Sequence, residues 1–216
     1  MLRTRFGVVM ERTARELRGV SCLALEELVA DRKQIVSSRS FGKVVTSLTA
    51  LEESVSQYVC RAAEKLRRQN CVCATVQVFL QTNAFRAGDP QYHPSIAVKL
   101  GIHSSDSIRL TQAALSGLRS IYKPGFRYVK AGVGLNDIKP YAVRQFSLFD
   151  DVHNPALNGE DARARLMKVV DSVNRIAGRG TLRLAVAGID NIWAMKRRHL
   201  TPGYTSRWEE LPVARA

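Results

Sequence analysis

Four side-by-side carboxylate pairs, Glu26/Glu27, Glu52/Glu53, Asp150/Asp151 and Glu209/Glu210, are the first residues in this 216-residue chain to test for chemistry. Metal-assisted catalysis draws its ligands from several elements that converge on one point, and adjacent carboxylates do not supply that arrangement. No glycine-rich phosphate loop lies beside any pair, so solvation or helix capping is the expected role. The cysteines are equally plain. Cys22, Cys60, Cys71 and Cys73 include one Cys-x-Cys, but there is no second pair and no histidine nearby in sequence to complete a zinc site. Reduced, mostly buried thiols are expected.

Phosphate recognition is what the composition does support. Thirty-three Lys and Arg against 19 Asp and Glu leave a net charge of +14, and the isoelectric point near 10.2 suits a polyanionic partner. Residues 33–142 carry 15 basic and 6 acidic groups, the largest excess in the chain. Nothing reads as a run of about 18 apolar residues that would span a bilayer. The N-terminal "MLRTRFGVVMERTARELRG" also lacks the apolar stretch and small-residue cleavage site of a secretory signal. A soluble, unexported protein without a membrane partner is expected.

Stepping along the chain, residues 4–18 read as a helix stopped by Gly19, with Phe6, Val9, Met10 and Leu17 on roughly one side, and 20–32 as a linker. So short a helix cannot make a core and must dock on something else. From residue 33 the pattern is ordered. A strand in "KQIVSSRSFG" precedes a helix of about twenty residues, in which Leu51, Val55, Val59, Ala62 and Leu66 recur at helical spacing behind a Thr49-x-x-Glu52 capping box. "VCATVQVFLQT" alternates at Val72, Ala74, Val76, Val78 and Leu80, and "SIAVKLGI" at Ile96, Val98 and Leu100. A second helix over 106–121 and a strand in "FRYVKAGVGL" close a β-α-β-β-α-β unit.

The fold class is therefore α+β. A four-stranded sheet has two helices on one face, with a short helix before it and a small α/β tail after it. The uncovered face is expected to carry Arg39, Cys73, Thr75, Gln77, Gln81, Ser95 and Lys99, with Arg127 or Lys130, and no carboxylate. A solvated face usually mixes signs, so this one-sided pattern points to phosphate contacts. Ser40, Gly42 and Lys43 add small residues and a cation at the end of the first strand.

Residues 143–160 read as a linker rich in Asp, Asn, Pro and Gly, yet "VRQFSLFDDVH" places Phe146, Leu148 and Phe149 in it. Two destinations are open to them: an apolar cleft on a partner, or the adjacent domain as a plug. A helix follows over 161–176, with Leu166, Val169, Val170 and Val173 on one side, and then a tail suggesting a strand and irregular structure with two tryptophans.

Taken together, "RTRFGVVMERTARELRG", "SSRSFG", "RAAEKLR", "YVKAGVGL", "QFSLFDD", "GRGTL" and "WAMKRRHLTPGYTSRWEELP" resemble, in order and over essentially the whole chain, the C-terminal half of Y-family translesion DNA polymerases of the UmuC, MucB, ImpB and RumB group. The resemblance implies an end of the thumb at 1–32 and the little finger that grips primer-template DNA at 33–142. It further implies a clamp-binding linker at 143–160 and a tail peculiar to the group at 161–216. On it, Arg39, Ser40, Gly42, Lys43, Thr75, Gln77, Lys99, Arg127 and Lys130 would meet DNA. Gln145, Phe146, Ser147, Leu148 and Phe149 match the peptide that docks on the bacterial sliding clamp.

The palm that holds two magnesium ions would precede residue 1, so this chain would need no cofactor and would not be an enzyme alone. Trp193, Met195, Lys196, Arg197, Tyr204 and Trp208 lie in the group's C-terminal signature, which implies contact with a processed UmuD-like subunit and the RecA filament; the same aromatics could equally be the core of a small subdomain. The implied setting is the bacterial cytoplasm, at the nucleoid, in SOS repair and mutagenesis. The rival expectation is a freestanding basic regulatory protein that competes with polymerases for DNA or clamp.

Overall fold

A computed structural model describes residues 2–22, 33–86, 88–142, 160–189, 191–195, 201–204 and 207–211. The chain divides into two units, Met1–Asp31 and Arg32–Ala216.

In the first unit, α1 (Leu2–Glu16) is interrupted at Gly7, whose φ of 85° is not helical. It ends where the sequence indicates. Gly19 adopts a φ of 81°, so its own N–H reaches the Glu16 carbonyl at 2.9 Å and the Val20 N–H reaches that of Arg15 at 3.0 Å. This is the pairing with which a left-handed glycine closes a helix. Phe6, Val9, Met10 and Leu17 are all exposed.

The second unit is built on β1 (Ile35–Val45), α2 (Leu48–Arg68), β2 (Cys71–Thr82), β3 (Ser95–Ser104), α3 (Ser107–Ile121) and β4 (Tyr128–Pro140). The sheet has the order β1-β4-β2-β3 and every neighbouring pair is antiparallel. The β-α-β-β-α-β reading is thus the observed fold. Leu51, Val55, Val59 and Leu66 of α2 and Leu110, Ala114 and Leu118 of α3 share one core with Val76, Val78 and Leu80 of β2 and Ala131, Val133 and Leu135 of β4. Each fully buried Leu or Val contributes about 1.5–3 kcal/mol before the entropy of ordering is subtracted.

Several local expectations change. The cap of α2 is Ser47, whose hydroxyl accepts from the Ala50 N–H at 3.3 Å while its backbone stays extended. Thr49 already lies inside the helix, and Glu52 reaches across to Arg119 of α3 at 2.7 Å instead of folding back as a capping-box partner. In β2 the pairing with β3 shifts register between Cys73 and Thr75. The pairing with β4 keeps its register through the same residues, where β4 carries the left-handed Asp137 at a φ of 53°. Cys71 and Cys73 join Val76, Val78 and Leu80 in the core, so the expectation that Cys73 lies on the open face is corrected. Val72 is also buried, but it borders a small cavity with Tyr141 and Met167.

The last helix, α4 (Glu160–Ile176), turns inward a side shifted from the one its apolar spacing suggests. Met167 is buried, Val170 and Val173 are half-buried, and Leu166 and Val169 are exposed. Two ion pairs lie on the inward side. Arg163 pairs with Asp106, the N-cap of α3, at 3.0 Å, and Asp171 pairs with Arg67 of α2. Positions 163, 167 and 171 are four apart and so form one stripe. In the last turn of the helix, Asn174 exchanges two hydrogen bonds of 2.9 Å with the backbone of Leu182. The stretch expected as a strand is irregular and ends in a single 3-10 turn, Ala185–Ala187. Gly188, at a φ of 67°, lies so close to Glu53 that a Cβ there would sit 2.7 Å from the Glu53 carboxyl carbon.

Candidate nucleic-acid interface

The face of the sheet away from α2 and α3 can be read as rows of side chains. Register places Ser40, Lys130 and Gln81 in one row and Ser38, Gly132, Phe79 and Ser95 in the next. Val36, Gly134, Gln77 and Ala97 form the third, and Asn136, Thr75 and Lys99 the fourth. The parity follows from the opposite residues: Ile35, Val76, Val78, Leu80, Ala131, Val133 and Leu135 are locked into the core, and alternation sends their neighbours outward.

The centre of this surface is low and nearly apolar. A Cβ at Gly132 would lie 2.4 Å from the Phe79 ring and 2.4 Å from the Ser38 Cβ, so only glycine lets the ring lie across β4. Polar side chains on the face are largely tied to one another. Gln77 Nε2 donates to Ser95 Oγ at 2.9 Å and Asn136 Nδ2 donates to Gln77 Oε1 at 3.3 Å. The Thr75 hydroxyl donates to Asp137 at 2.7 Å.

That last contact corrects the expectation of a face without carboxylates. β4 runs on to Pro140, past the segment legible as a strand, and brings Asp137 with it at a left-handed φ of 53°.

Lys130 and Lys99 stand three rows apart, about 20 Å along the strands at two residues per row. That is about six backbone steps of one nucleic-acid strand at 3.4 Å each, so the two ammonium groups would meet different phosphates.

Of the nine residues expected to meet DNA, Ser40, Thr75, Gln77, Lys99 and Lys130 share this face. Arg39 does not. It pairs with Ala131, a core residue, which puts it on the helix side of the edge strand, where its charge reaches the Tyr58 hydroxyl. Burial pushes that hydroxyl up to about 12, while Arg61 and Arg39 pull it down. Gly42 and Lys43 fall in the register shift between Ser40 and Val45; Lys43 is exposed, but the Gly42 N–H is already given to the Trp193 carbonyl at 3.1 Å. Arg127 precedes β4 and pairs with Asp89 at 3.5 Å. Phe79, Val36 and the two glycines complete the face and were not among the expected residues; the signal for Phe79 is its place in the outward phase between Gln77 and Gln81, where it breaks the polar alternation of β2.

The tail residues separate in the same way. Trp193, 4% exposed, belongs to the core, edge-on to Tyr58 with ring centroids 5.6 Å apart and to Phe41 at 6.3 Å. The alternative left open for it is therefore decided in favour of packing. Met195, Tyr204 and Trp208 are exposed, Trp208 by 88%. Lys196, Arg197 and the segment Gln145, Phe146, Ser147, Leu148 and Phe149 lie outside the described residues.

The carboxylate pairs that are described do not fit a two-metal site. Glu52 is held by Arg119 and Glu53 lies against Gly188, two directions that follow from about 100° of rotation per helical residue. Glu210 accepts from the Gly203 N–H and from Arg207, and those hydrogen bonds, the backbone one first, hold its carboxyl below the usual range.

The architecture is thus an α+β domain with one face of its sheet covered by helices and the other open, polar and basic at its corners. Residues 32–148 match the impB/mucB/samB family C-terminal domain, and the chain belongs to that family. Residues 164–214 match a domain of unknown function, DUF4113. Among curated relatives, Protein SamB of Salmonella typhimurium is 42% identical over 99% of this chain and 49% of its own length. Protein UmuC of Salmonella typhimurium is 43% identical over 98% and 49%, and Protein MucB of Escherichia coli 42% over 99% and 49%. The chain spans about half the length of the curated relatives it matches.

Proposed function

We propose that this chain is the DNA-gripping and clamp-docking part of an error-prone Y-family translesion DNA polymerase that acts in SOS repair and mutagenesis. The observation that carries the reading is the open face of the sheet, with Lys99 and Lys130 at separate corners of a surface flattened by Gly132 and Gly134. Membership of the impB/mucB/samB family supports it. On this reading 1–32 ends the thumb, 33–142 is the little finger on primer-template DNA, 143–160 docks on the sliding clamp through Gln145, Phe146, Ser147, Leu148 and Phe149, and 161–216 meets a processed UmuD-like subunit and the RecA filament. Nucleotide transfer and its magnesium belong to the palm of the polymerase, so this chain works at the nucleoid without chemistry of its own.

A salt titration of binding to primer-template DNA tests the central claim. Counterion release makes affinity fall steeply with salt, and each lost phosphate contact lowers the log-log slope by about one. Lys99→Ala with Lys130→Ala should therefore lower the slope by about two and weaken binding without regard to sequence. An unchanged slope and affinity would remove the open face from the DNA interface.

A further inference from the structure

The connection from β2 to β3 displays the most exposed large apolar side chain of the sheet domain. Phe85 is 98% exposed, in a loop that is tightly organised. Asn83 Oδ1 accepts from the Phe85 N–H at 3.0 Å, and the Arg86 and Asp89 N–H groups close successive turns on the Asn83 and Arg86 carbonyls, each at 3.2 Å. Gln91 is the hub. Its amide nitrogen is shared among the carbonyls of Asn83, Arg86 and Asp89 at 3.0, 3.1 and 3.0 Å, while its oxygen accepts from the Thr82 hydroxyl at 2.9 Å. Thr82 in turn accepts from the Tyr92 N–H at 3.0 Å. A ring held out by so many bonds is on display; fraying does not explain its exposure.

The loop also gathers cations. Arg86 and Arg127 share one carboxylate, Asp89, at 3.8 and 3.5 Å, and Lys123 stands 4.7 Å over the ring of Tyr92, in the same loop. The two guanidinium groups exceed their carboxylate by one charge, and Lys123 adds another. The loop also leaves the sheet beside the open face, since Gln81, paired with Lys130, is followed by Thr82.

We propose that Phe85 is a stacking platform for an unpaired base of single-stranded DNA, with Arg86 and Arg127 taking the flanking phosphates. The proposal rests on the reading that the open face lies on DNA, and it adds a second nucleic-acid form at the end of that face. Every base offers a π-face, so an aromatic ring beside cations holds single strands without reading sequence. A protein partner would call for a cluster of large apolar side chains that desolvate one another, whereas the sequence neighbours of Phe85, Ala84, Arg86, Gly88 and Asp89, are small or charged.

Fluorescence anisotropy on the full chain tests this with three labelled probes: a short single strand, a blunt duplex of the same length and a primer-template with an overhang. Phe85→Ala should weaken the single strand about ten-fold, change the duplex less than about two-fold and leave the salt slope unaltered, because stacking releases no counterions. Arg86→Ala with Arg127→Ala should lower the single-strand slope. Phe85→Trp should keep the affinity and add fluorescence quenching at saturation, a signature that a merely structural residue would not give. Unchanged single-strand affinity in Phe85→Ala, equal loss on both probes, or no added quenching in Phe85→Trp would each overturn the stack. Duplex binding that still responds to Lys99→Ala with Lys130→Ala shows that the open-face reading has survived such a failure.

Discussion

Arg67 of α2 and Asp171 of α4, 104 residues apart in sequence, meet as a bidentate pair with Nε to Oδ2 at 2.6 Å and Nη2 to Oδ1 at 2.7 Å. The remaining Arg67 nitrogen donates to the Ser105 carbonyl at 2.7 Å and the Ser107 hydroxyl at 3.0 Å. One guanidinium thus binds the final helix and the start of α3 to α2.

A hub with several partners should be more costly to lose than any one partner. Arg67→Ala is expected to destabilise the domain by about 2–4 kcal/mol and Asp171→Ala by about 1–2 kcal/mol, between the ranges for exposed and fully buried pairs. Arg67→Lys should not rescue, because a point ammonium cannot reproduce the planar fork. Urea unfolding midpoints check the ranking, and equal losses for Arg67→Ala and Asp171→Ala would contradict it.

The two open-face glycines make a matched pair of tests. Gly132→Ala places a methyl group 2.4 Å from both Phe79 and Ser38, which should cost about 1–3 kcal/mol through the displaced ring. Gly134→Ala meets nothing closer than 3.6 Å and should be nearly neutral. Thermal melting compares them directly, and if the ring lies as described, Phe79→Ala should relieve part of the Gly132→Ala penalty in a double-mutant cycle.

The two tryptophans should behave oppositely. Trp193→Ala removes a ring packed between Phe41 and Tyr58 and should cost about 3–5 kcal/mol. Trp208→Ala, at an 88% exposed position, should change stability by less than about 0.5 kcal/mol. Chemical denaturation with intrinsic fluorescence reads both, and a large loss from Trp208→Ala would show that it too is structural.

Alkaline pH should weaken the fold through its buried acids. Burial pushes the Cys73 thiol from an ordinary 9.0 up to about 12 and the Tyr58 hydroxyl from 10.0 to about 12. Both are raised, so their contribution is fully present below the unfolded values and is lost as pH climbs from 9 towards 12, where the unfolded chain releases protons that the folded one retains. Urea midpoints should fall across that window, and Cys73→Ala should flatten the fall even as it lowers the starting stability.

What the sequence determined by itself was whatever depends on near neighbours. Alternation at Ile96, Val98 and Leu100, helical spacing from Leu51 to Leu66 and a glycine placed to close α1 are each read from residues a few positions apart, and periodicity carries them into the fold. The β-α-β-β-α-β order and the corner lysines of the open face followed. Tertiary structure alone decided the rest, because those choices depend on partners far along the chain. Arg39 faces the helices because Ile35 anchors the parity of β1 against Leu135, and Cys73 is buried at the end of β2 where the pairing with β3 becomes irregular. α4 brings Met167 inward and leaves Leu166 and Val169 exposed while Asp106 and Arg67, 57 and 104 residues from their partners, hold Arg163 and Asp171. Trp193 left the surface for the same kind of reason: the space between Phe41 and Tyr58 exists only once β1 and α2 have packed.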